Sequence, residues 1–319
     1  MEADGKDASI GATQGREKWR RQRMQMEIHK EKSTPRGPKR RAWPLFEPLI
    51  SLFGWGLRLV GLYDRGVRNA LDIRVTRFEL SFEDLPDQFD GFRILQLSDL
   101  HVDALPEAME VALGMASEIE VDLCVLTGDY RQGFTGTFDH ILPAIRNLVV
   151  KVNTRHGICA VLGNHDCAEM VEPFEGLGVT MLVNETLSIH RNNARICITG
   201  IDDVHYFCTD AARAALARAP DAFKIALVHS AEFADVAAGS GFNLYLAGHT
   251  HGGQVCLPGG RPILTHMTCH RRYASGLWQH GAMLGYTSTG VGVSELPVRF
   301  NSRGEVVLIT LRHEYGESG

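Results

Sequence analysis

Five short segments of the chain carry side chains that bind metal ions. They supply carboxylate, amide and imidazole groups: Asp99-Leu100-His101, Gly128-Asp129, Gly163-Asn164-His165-Asp166, His229 and Gly248-His249-Thr250-His251. Mixed imidazole and carboxylate donors suit manganese, iron or zinc, because magnesium and calcium sites consist almost entirely of oxygen. Two such ions about 3.5–4 Å apart hold the attacking and leaving oxygens of a phosphoryl displacement and lower the pKa of bound water. The residue types therefore predict a two-metal hydrolase.

Each segment comes at or just after the end of an apolar run with the length of a buried strand. The runs are Arg93–Leu97, Leu123–Leu126, Ile158–Leu162, Ile225–Val228 and Leu244–Ala247. Such runs, bounded by turn residues, are typical of buried parallel strands. Because ligands gather outside the carboxyl ends of strands in open α/β sheets, we expect the five segments to share one crevice. Asp129 is the natural bridge there, since one carboxylate can give an oxygen to each ion.

The order of the five segments resembles that of the calcineurin-like metallophosphoesterases, from about Ile94 to the C-terminus. The resemblance implies that one ion is held by Asp99, His101, Asp129 and His251, and the other by Asp129, Asn164, His229 and His249. It implies a hydroxide bridging the metals as nucleophile, with His165 beside the leaving-group oxygen, a role that suits an imidazole. It also implies an α/β fold, a four-layer α-β-β-α sandwich of two mixed sheets.

The segments after the last ligand resemble a membrane-associated bacterial group of phosphodiesterases in the same superfamily. They are Gly252-Gly253-Gln254, Arg272-Tyr273-Ala274-Ser275-Gly276-Leu277, Ser288-Thr289-Gly290-Val291-Gly292 and Pro297-Val298-Arg299-Phe300. Relatives of that group include the UDP-2,3-diacylglucosamine pyrophosphatases. The resemblance therefore implies a lipid-linked substrate with a phosphodiester or pyrophosphate bond. His229-Ser230-Ala231 stands where the family often has His-Glu-Pro, a departure that changes no ligand. A soluble nucleotide or phosphoprotein phosphatase with the same site is the alternative, and a non-enzymatic membrane adaptor is another.

Two pairs of charged residues have two interpretations each. Arg271 and Arg272 are candidates to bind a substrate phosphate, since guanidinium groups match phosphate oxygens bidentately, or they form a solvated surface pair. Asp202 and Asp203 follow the apolar run Ile196–Ile201. This position predicts turn or cap residues. Alternatively, one of the two aspartates hydrogen-bonds to a metal ligand and supports it.

Residues 1–41 are basic, whereas the rest of the chain is acidic. They hold 12 Lys and Arg against 6 Asp and Glu, and the remainder holds 21 against 32. This composition predicts a disordered tail that anionic lipid head groups attract, at about 1 kcal/mol per basic residue near the surface. Nucleic-acid binding is the rival interpretation, but no aromatic interleaving or nucleic-acid motif supports it. A start of translation at Met24 or Met26 would remove much of this tail.

Residues 42–70 predict an amphipathic helix that lies in the membrane interface. At about 100° per residue the polar positions fall within about 40° of one direction, and they are Glu47, Ser51, Gly54, Arg58, Gly61 and Arg65. The other side is apolar, as in interfacial helices, and the stretch is shorter than the roughly 20 apolar residues that span a bilayer. We expect a peripheral protein on the cytoplasmic face of a bacterial inner membrane. Packing of this helix on the catalytic domain, or export through a twin-arginine signal at Arg40-Arg41, are the alternatives.

Residues 71–319 predict the catalytic domain, which is long enough for one large α/β unit with a substantial core. Further strands are expected at Ile73–Phe82, Thr186–His190, Arg195–Gly200, Ala282–Thr289, Val298–Phe300 and Val306–Leu311, and helices at Pro106–Glu120, Phe138–Val150, Asp210–Arg218 and Glu232–Gly239. Helices that alternate with strands in the first half favour βαβ units, and closely spaced strands near the end favour an antiparallel addition.

Overall fold

A computed structural model describes residues 4–29, 33–34, 37–38, 46–268 and 270–315. The helices are α1 (Asp4–Ile28), α2 (Phe46–Leu59), α3 (Tyr63–Leu71), α4 (Pro106–Ser117), α5 (Leu142–Lys151), α6 (Val171–Gly176), α7 (Asp210–Ala217) and α8 (Ala234–Gly239). The strands are β1 (Ser33–Thr34), β2 (Gly37–Pro38), β3 (Arg74–Phe82), β4 (Arg93–Leu97), β5 (Leu123–Leu126), β6 (Ile158–Ala160), β7 (Val179–Met181), β8 (Glu185–Arg191), β9 (Ala194–Gly200), β10 (Phe223–Leu227), β11 (Leu244–Ala247), β12 (Cys256–Leu257), β13 (Arg261–Pro262), β14 (Gly276–His280), β15 (Met283–Thr287) and β16 (Glu305–His313).

Two six-stranded mixed sheets form the centre of the protein. The first sheet has the order β3-β16-β4-β5-β6-β7, and β4 to β7 run parallel while β16 is antiparallel to β4. The second sheet has the order β14-β15-β11-β10-β9-β8, with β15, β11, β10 and β9 parallel and an antiparallel strand at each edge. Each sheet therefore brings the carboxyl ends of several parallel strands to one edge.

The two sheets pack face to face, and helices cover their outer faces. Along β5, Leu123 and Val125 enter the core between the sheets, whereas Cys124 and Leu126 point to the layer of α4, α5 and α6. This is the period of two that a strand buried on both faces requires. On the outer face of the second sheet, Ala226 packs with α7 and α8. The predicted four-layer α-β-β-α sandwich is thus confirmed.

Residues 298–300 do not form the expected strand. In this segment Phe300 makes only an isolated bridge with Val255. The Arg299 side chain is fully buried instead and donates to the carbonyl oxygens of Gly292 at 2.6 Å and Thr289 at 2.7 Å. Single backbone bonds, from Arg299 N to Gly66 O and from Phe300 N to Gln254 O, hold the segment together with these side-chain bonds.

The N-terminal region differs from the predicted disordered tail, because α1 is a helix over Asp4–Ile28. Trp19, Arg23 and Met26 recur at intervals of four and three residues, and all three side chains are buried. This spacing places them on one face of a helix, and that face packs on the catalytic domain. The export signal considered at Arg40-Arg41 lies outside the described residues.

The expected single amphipathic helix is two helices, α2 and α3. Gly61 has a φ of +70°, Gly61 N donates to Arg58 O and Leu62 N donates to Leu57 O. Glycine at this position with these two bonds forms a Schellman motif, which ends a helix. The polar residues Gly54 and Arg58 remain on α2, where Leu296 and Tyr63 contact them. No helix in the described ranges combines the length and apolar character needed to cross a bilayer.

Candidate metal centre

The five predicted segments meet where the carboxyl ends of the parallel strands in the two sheets face each other. Asp99 N donates to Gly128 O at 2.9 Å and joins the ends of β4 and β5. His249 N, after β11 of the second sheet, donates to both carboxylate oxygens of Asp99 at 3.0 Å. Gly248 N donates to His229 O at 2.8 Å and joins the ends of β11 and β10. The crevice that the apolar runs predict is thus present.

Asp129 lies at the centre of this crevice. Its Oδ2 is 3.2 Å from His229 Nε2 and 3.7 Å from His101 Nε2. The same oxygen is 4.0 Å from His165 Nε2, while Oδ1 accepts a hydrogen bond from His165 N at 2.9 Å. One oxygen therefore faces the imidazoles of both proposed ligand sets, whereas the sequence suggested one oxygen for each ion.

The other predicted ligands lie on two sides of Asp129. On one side His251 Nε2 is 3.6 Å from Asp99 Oδ1. On the other, His229 Nε2 is 3.1 Å from Asn164 Oδ1 and 3.2 Å from His249 Nδ1. Three overlapping groups of donor atoms result, each with its members within 4.8 Å of one another: Asp99, His101 and His251; His101, Asp129 and His165; Asp129, His229 and His249. All seven candidate ligands and His165 are therefore brought together.

Backbone carbonyl groups orient three of the imidazole rings. Nδ1 lies 2.8 Å from Arg131 O in His101, 2.7 Å from Thr127 O in His229 and 2.5 Å from Gln132 O in His165. A proton on Nδ1 makes Nε2 the nitrogen that faces the crevice and that can bind an ion when it carries no proton, as in metal-binding histidines. Within the described part of the chain, His101 Nε2 is buried without a hydrogen-bond partner. A buried nitrogen of this kind fits a cation.

The backbone of the candidate ligands adopts a conformation that few residues other than glycine take. Five of them have positive φ angles between 36° and 76°, namely Asp99, His101, Asp129, His249 and His251. Such strain costs on the order of 1–3 kcal/mol per residue and clusters at functional sites. The left-handed turns bring these side chains back over the ends of their strands.

Two glycines allow the loops of the centre to approach closely. A Cβ on Gly248 would lie 1.8 Å from Ser98 Oγ and 2.3 Å from Asp99 Oδ2. A Cβ on Gly163 would lie 2.2 Å from Asp129 Oδ1. Any side chain at these positions would displace a candidate ligand.

Burial and neighbouring charges keep most of the imidazoles neutral. Burial, together with the adjacent imidazoles, lowers the pKa of His101 to about 3 and lowers those of His249 and His251 well below the usual value. Burial also disfavours a charge on His229, but Asp129 outweighs it and raises that pKa to about 10. Burial raises the pKa of Asp99 to about 7. The proton on His229 thus supplies positive charge beside Asp129 that a metal cation would replace.

Asp166 supports the centre, a role that the sequence did not assign. Its Oδ2 accepts from Gly163 N at 2.7 Å and Asp129 N at 2.8 Å, and its Oδ1 accepts from Tyr130 N at 2.9 Å. The carboxylate therefore ties the loop after β6 to the loop after β5. Its place within the Gly-Asn-His-Asp segment was the available signal.

The two charged pairs with open interpretations have different positions. Asp203 accepts from His205 N and Tyr206 N and is thus the predicted turn residue, whereas Asp202 binds Trp19 and Arg23 of α1. Arg271 and Arg272 are exposed on the short helical turn Arg271–Tyr273, and Arg272 donates to Tyr273 Oη at 2.8 Å. A role for these arginines in phosphate binding stays a prediction.

Sequence reasoning missed His205, which lies beside the candidate ligands. Its ring centroid is 4.1 Å from that of His249, and its Nδ1 is 3.0 Å from Glu232 Oε2. The side chain is buried and follows β9, so it obeys the rule that polar groups after parallel strands converge. Phe134, also missed, stacks on His165 with 3.9 Å between ring centroids.

Comparison with known proteins identifies the family. A family model described as calcineurin-like phosphoesterase matches residues 92–253, just over half of the chain. An uncharacterized metallophosphoesterase of Bacillus subtilis (strain 168), YkuE, is 32% identical over 253 residues, covering 75% of this chain and 86% of its own length. The phosphodiesterase YaeI of Escherichia coli (strain K12) is 29% identical, with 74% of this chain and 87% of its own covered.

A relative with a membrane designation also matches. It is the transmembrane protein with metallophosphoesterase domain of Bos taurus, which is 28% identical over 282 residues, covering 80% of this chain and 60% of its own length. The family model, which covers half of the chain, and the alignment with YkuE, which covers three quarters of it, thus agree. The chain belongs to the calcineurin-like phosphoesterase family and is a metal-dependent phosphoester hydrolase.

Proposed function

We propose that this chain hydrolyses a phosphodiester or pyrophosphate bond in a lipid-linked substrate such as UDP-2,3-diacylglucosamine. Two divalent transition-metal ions, Mn, Fe or Zn, would be held by Asp99, His101, Asp129 and His251 and by Asp129, Asn164, His229 and His249. The buried, mostly neutral imidazoles and the unpartnered His101 Nε2 support this assignment. When bound, such ions polarise the phosphoryl oxygens and supply hydroxide near neutral pH.

His165 is the proposed general acid for the leaving group. Its Nδ1 lies 2.5 Å from Gln132 O, so Nε2 is the nitrogen that exchanges a proton with the substrate. The stacked ring of Phe134 and the bond from His165 N to Asp129 fix the orientation of the imidazole. The proton would pass from Nε2 to the departing oxygen. This assistance matters most for a phosphodiester, whose leaving group is an alkoxide, and less for a pyrophosphate, whose leaving group is a phosphate.

A cavity next to the metal centre carries the proposal of a lipid-linked substrate. It has a volume of about 260 Å³, and Thr250 and His251 line one part of it. Ile50 and Phe53 of α2 line another part, and the remaining wall is largely apolar, with Ile263, Leu264, Leu296 and Val298. An alkyl chain in this cavity would extend from a candidate metal ligand to α2, and each buried methylene would contribute about 0.8 kcal/mol.

The exposed face of α2 supports attachment to a membrane surface. Trp55 and Leu59 expose 60% and 71% of their surface. Other large apolar side chains on and after this helix are exposed as well: Leu49, Leu52, Phe53, Val60 and Leu62. A continuous apolar patch of this kind marks an interaction site, and an interfacial helix buries such a face in the acyl boundary of a bilayer. We propose that the protein lies peripherally on the cytoplasmic face of an inner membrane.

A comparison of matched substrates tests this proposal. The metal-loaded full chain is assayed on bis-p-nitrophenyl phosphate, p-nitrophenyl phosphate and UDP-2,3-diacylglucosamine, with Phe53→Glu as the variant. We expect diester to exceed monoester hydrolysis, and Phe53→Glu to raise the KM for the diacyl substrate about tenfold, since about 1.4 kcal/mol of binding is lost. Leu277→Glu, an exposed leucine on β14, is the control and should leave this KM unchanged. If the KM for the diacyl substrate changes equally in Phe53→Glu and Leu277→Glu, the cavity has no role in lipid binding.

A further inference from the structure

Helix α1 contacts the loop that carries Asn164 and His165. Arg23 Nη2 donates to Asp166 O at 2.8 Å and lies 3.4 Å from Gly163 O. These two carbonyl groups come immediately before and after the pair Asn164 and His165. The Arg23 side chain is only 1% exposed, so its guanidinium meets the loop in a site from which water is largely excluded.

The remaining donors of Arg23 are fixed as well. Nη1 pairs with Asp202 Oδ1, and Nε donates to Glu27 Oε1 at 2.8 Å. Glu27 Oε1 in turn accepts from Ala168 N at 3.0 Å, on the continuation of the same loop. Asp202 also accepts from Trp19 at 2.7 Å, and the Phe207 ring lies 3.4 Å from the guanidinium carbon. The planar guanidinium therefore has one orientation.

The loop is thus held from two directions. From inside, the Asp166 carboxylate accepts from Gly163 N and Asp129 N, and His165 N donates to Asp129. From outside, Arg23 donates to the carbonyl oxygens. Hydrogen bonds to the backbone on both faces of the loop therefore bear on where Asn164 and His165 lie.

We propose that Arg23 is a positioning residue, through which α1 sets the place of Asn164 and His165 relative to Asp129. This inference rests on the proposed roles of Asn164 as a ligand and of His165 as the general acid. A helix whose sequence reads as a solvated basic tail would then be part of the catalytic apparatus, and displacement of α1 would lower turnover without touching any ligand.

Arg23→Lys in the full chain is the decisive variant. Lys keeps a positive charge for Asp202, but a single ammonium nitrogen does not reach Asp202, Glu27 and the Asp166 carbonyl at once. Arg23→Met would leave Asp202 buried without a cation, which destabilises folding strongly, so it is informative only if its thermal unfolding stays cooperative. Arg20→Met is the matched control, because Arg20 lies on the same helix and pairs with the exposed Glu172.

Two measurements test the role of Arg23. The first is kcat on bis-p-nitrophenyl phosphate and on the corresponding phenyl ester, diphenyl phosphate. Phenoxide is a poorer leaving group than p-nitrophenoxide, so hydrolysis of diphenyl phosphate depends more on a general acid. General acids contribute about 10²–10⁴-fold, so we expect Arg23→Lys to reduce kcat about tenfold more on the phenyl ester, with little change in KM. The second is Mn²⁺ titration of the purified protein, in which one of two ions should bind about tenfold more weakly.

The outcomes separate the inference from the proposed function. Arg20→Met should behave as the unchanged protein in both measurements. Equal losses of kcat on the two esters, with unchanged Mn²⁺ binding, would overturn the positioning role. If His165→Asn lowers kcat on the phenyl ester no more than on bis-p-nitrophenyl phosphate, the general-acid role fails. Weakened Mn²⁺ binding in Arg23→Lys would still support the positioning of Asn164.

Discussion

The metal centre and α2 hold their side chains in opposite ways. In the centre the donors are buried, the rings are fixed by backbone carbonyls such as Arg131 O, and five residues accept strained backbone angles. On α2, by contrast, Trp55 and Leu59 stand largely exposed. The candidate centre is thus formed by internal contacts, whereas the apolar face of α2 is exposed and is the face that we propose to meet a membrane.

The largest expected effect follows from removal of the central carboxylate. Asp129→Ala should abolish metal binding and reduce kcat/KM by at least about 10³-fold, because metal ions supply several kcal/mol of transition-state stabilisation. Metal analysis and turnover on bis-p-nitrophenyl phosphate check this. Binding to vesicles should not change. Full activity in this variant would contradict the role of the centre.

A smaller loss is expected at the proposed general acid. His165→Asn should lower kcat about 10²-fold or more while two ions remain bound, since His165 is no ligand in the proposed sets. Turnover and metal content, measured on the same preparation, decide whether His165 is a general acid or a metal ligand. Loss of an ion together with activity would instead make His165 a ligand.

The affinity of the centre for metal ions should rise with pH, because two of the candidate ligands bind protons in the metal-free protein. His229 has a pKa of about 10 and Asp99 of about 7 without metal, so both bind protons that a cation must displace. The protein groups should release about one proton on loading at pH 8 and about two at pH 6, and ionisation of a metal-bound water would add to both. Apparent affinity therefore rises with pH, at least about tenfold per unit between 7 and 10 and more steeply below 7. Proton release in weakly buffered solution measures this, and loading without release would contradict it.

The smallest effect on turnover, and a large one on attachment, is expected from α2. Trp55→Glu with Leu59→Glu should weaken binding to anionic vesicles about 30-fold or more, since each exposed side chain contributes about 1.5–3 kcal/mol when buried. Hydrolysis of bis-p-nitrophenyl phosphate should stay within about twofold. Val150→Glu, an exposed valine on α5, is the control for a charge added elsewhere. Unchanged sedimentation of the double variant with vesicles would argue for a different partner for this face.

The sequence predicts the convergence of the candidate ligands because its signals are local. Each candidate ligand follows an apolar strand, and the carboxyl ends of parallel strands must meet. Helix α1 was mistaken for a disordered tail because its anchor lies far away in sequence: Arg23 pairs with Asp202, 179 positions later. The division between α2 and α3 depends on one glycine, Gly61, whose left-handed conformation the polar stripe did not reveal. Long-range pairing and single backbone torsions are the features that local patterns miss.

Anomalous diffraction from crystals of the Mn-loaded full chain tests the central claim most directly. We expect two peaks that share Asp129, one beside Asp99, His101 and His251 and the other beside Asn164, His229 and His249. A single peak, no peak, or peaks away from Asp129 would contradict a centre in which these seven side chains hold two ions.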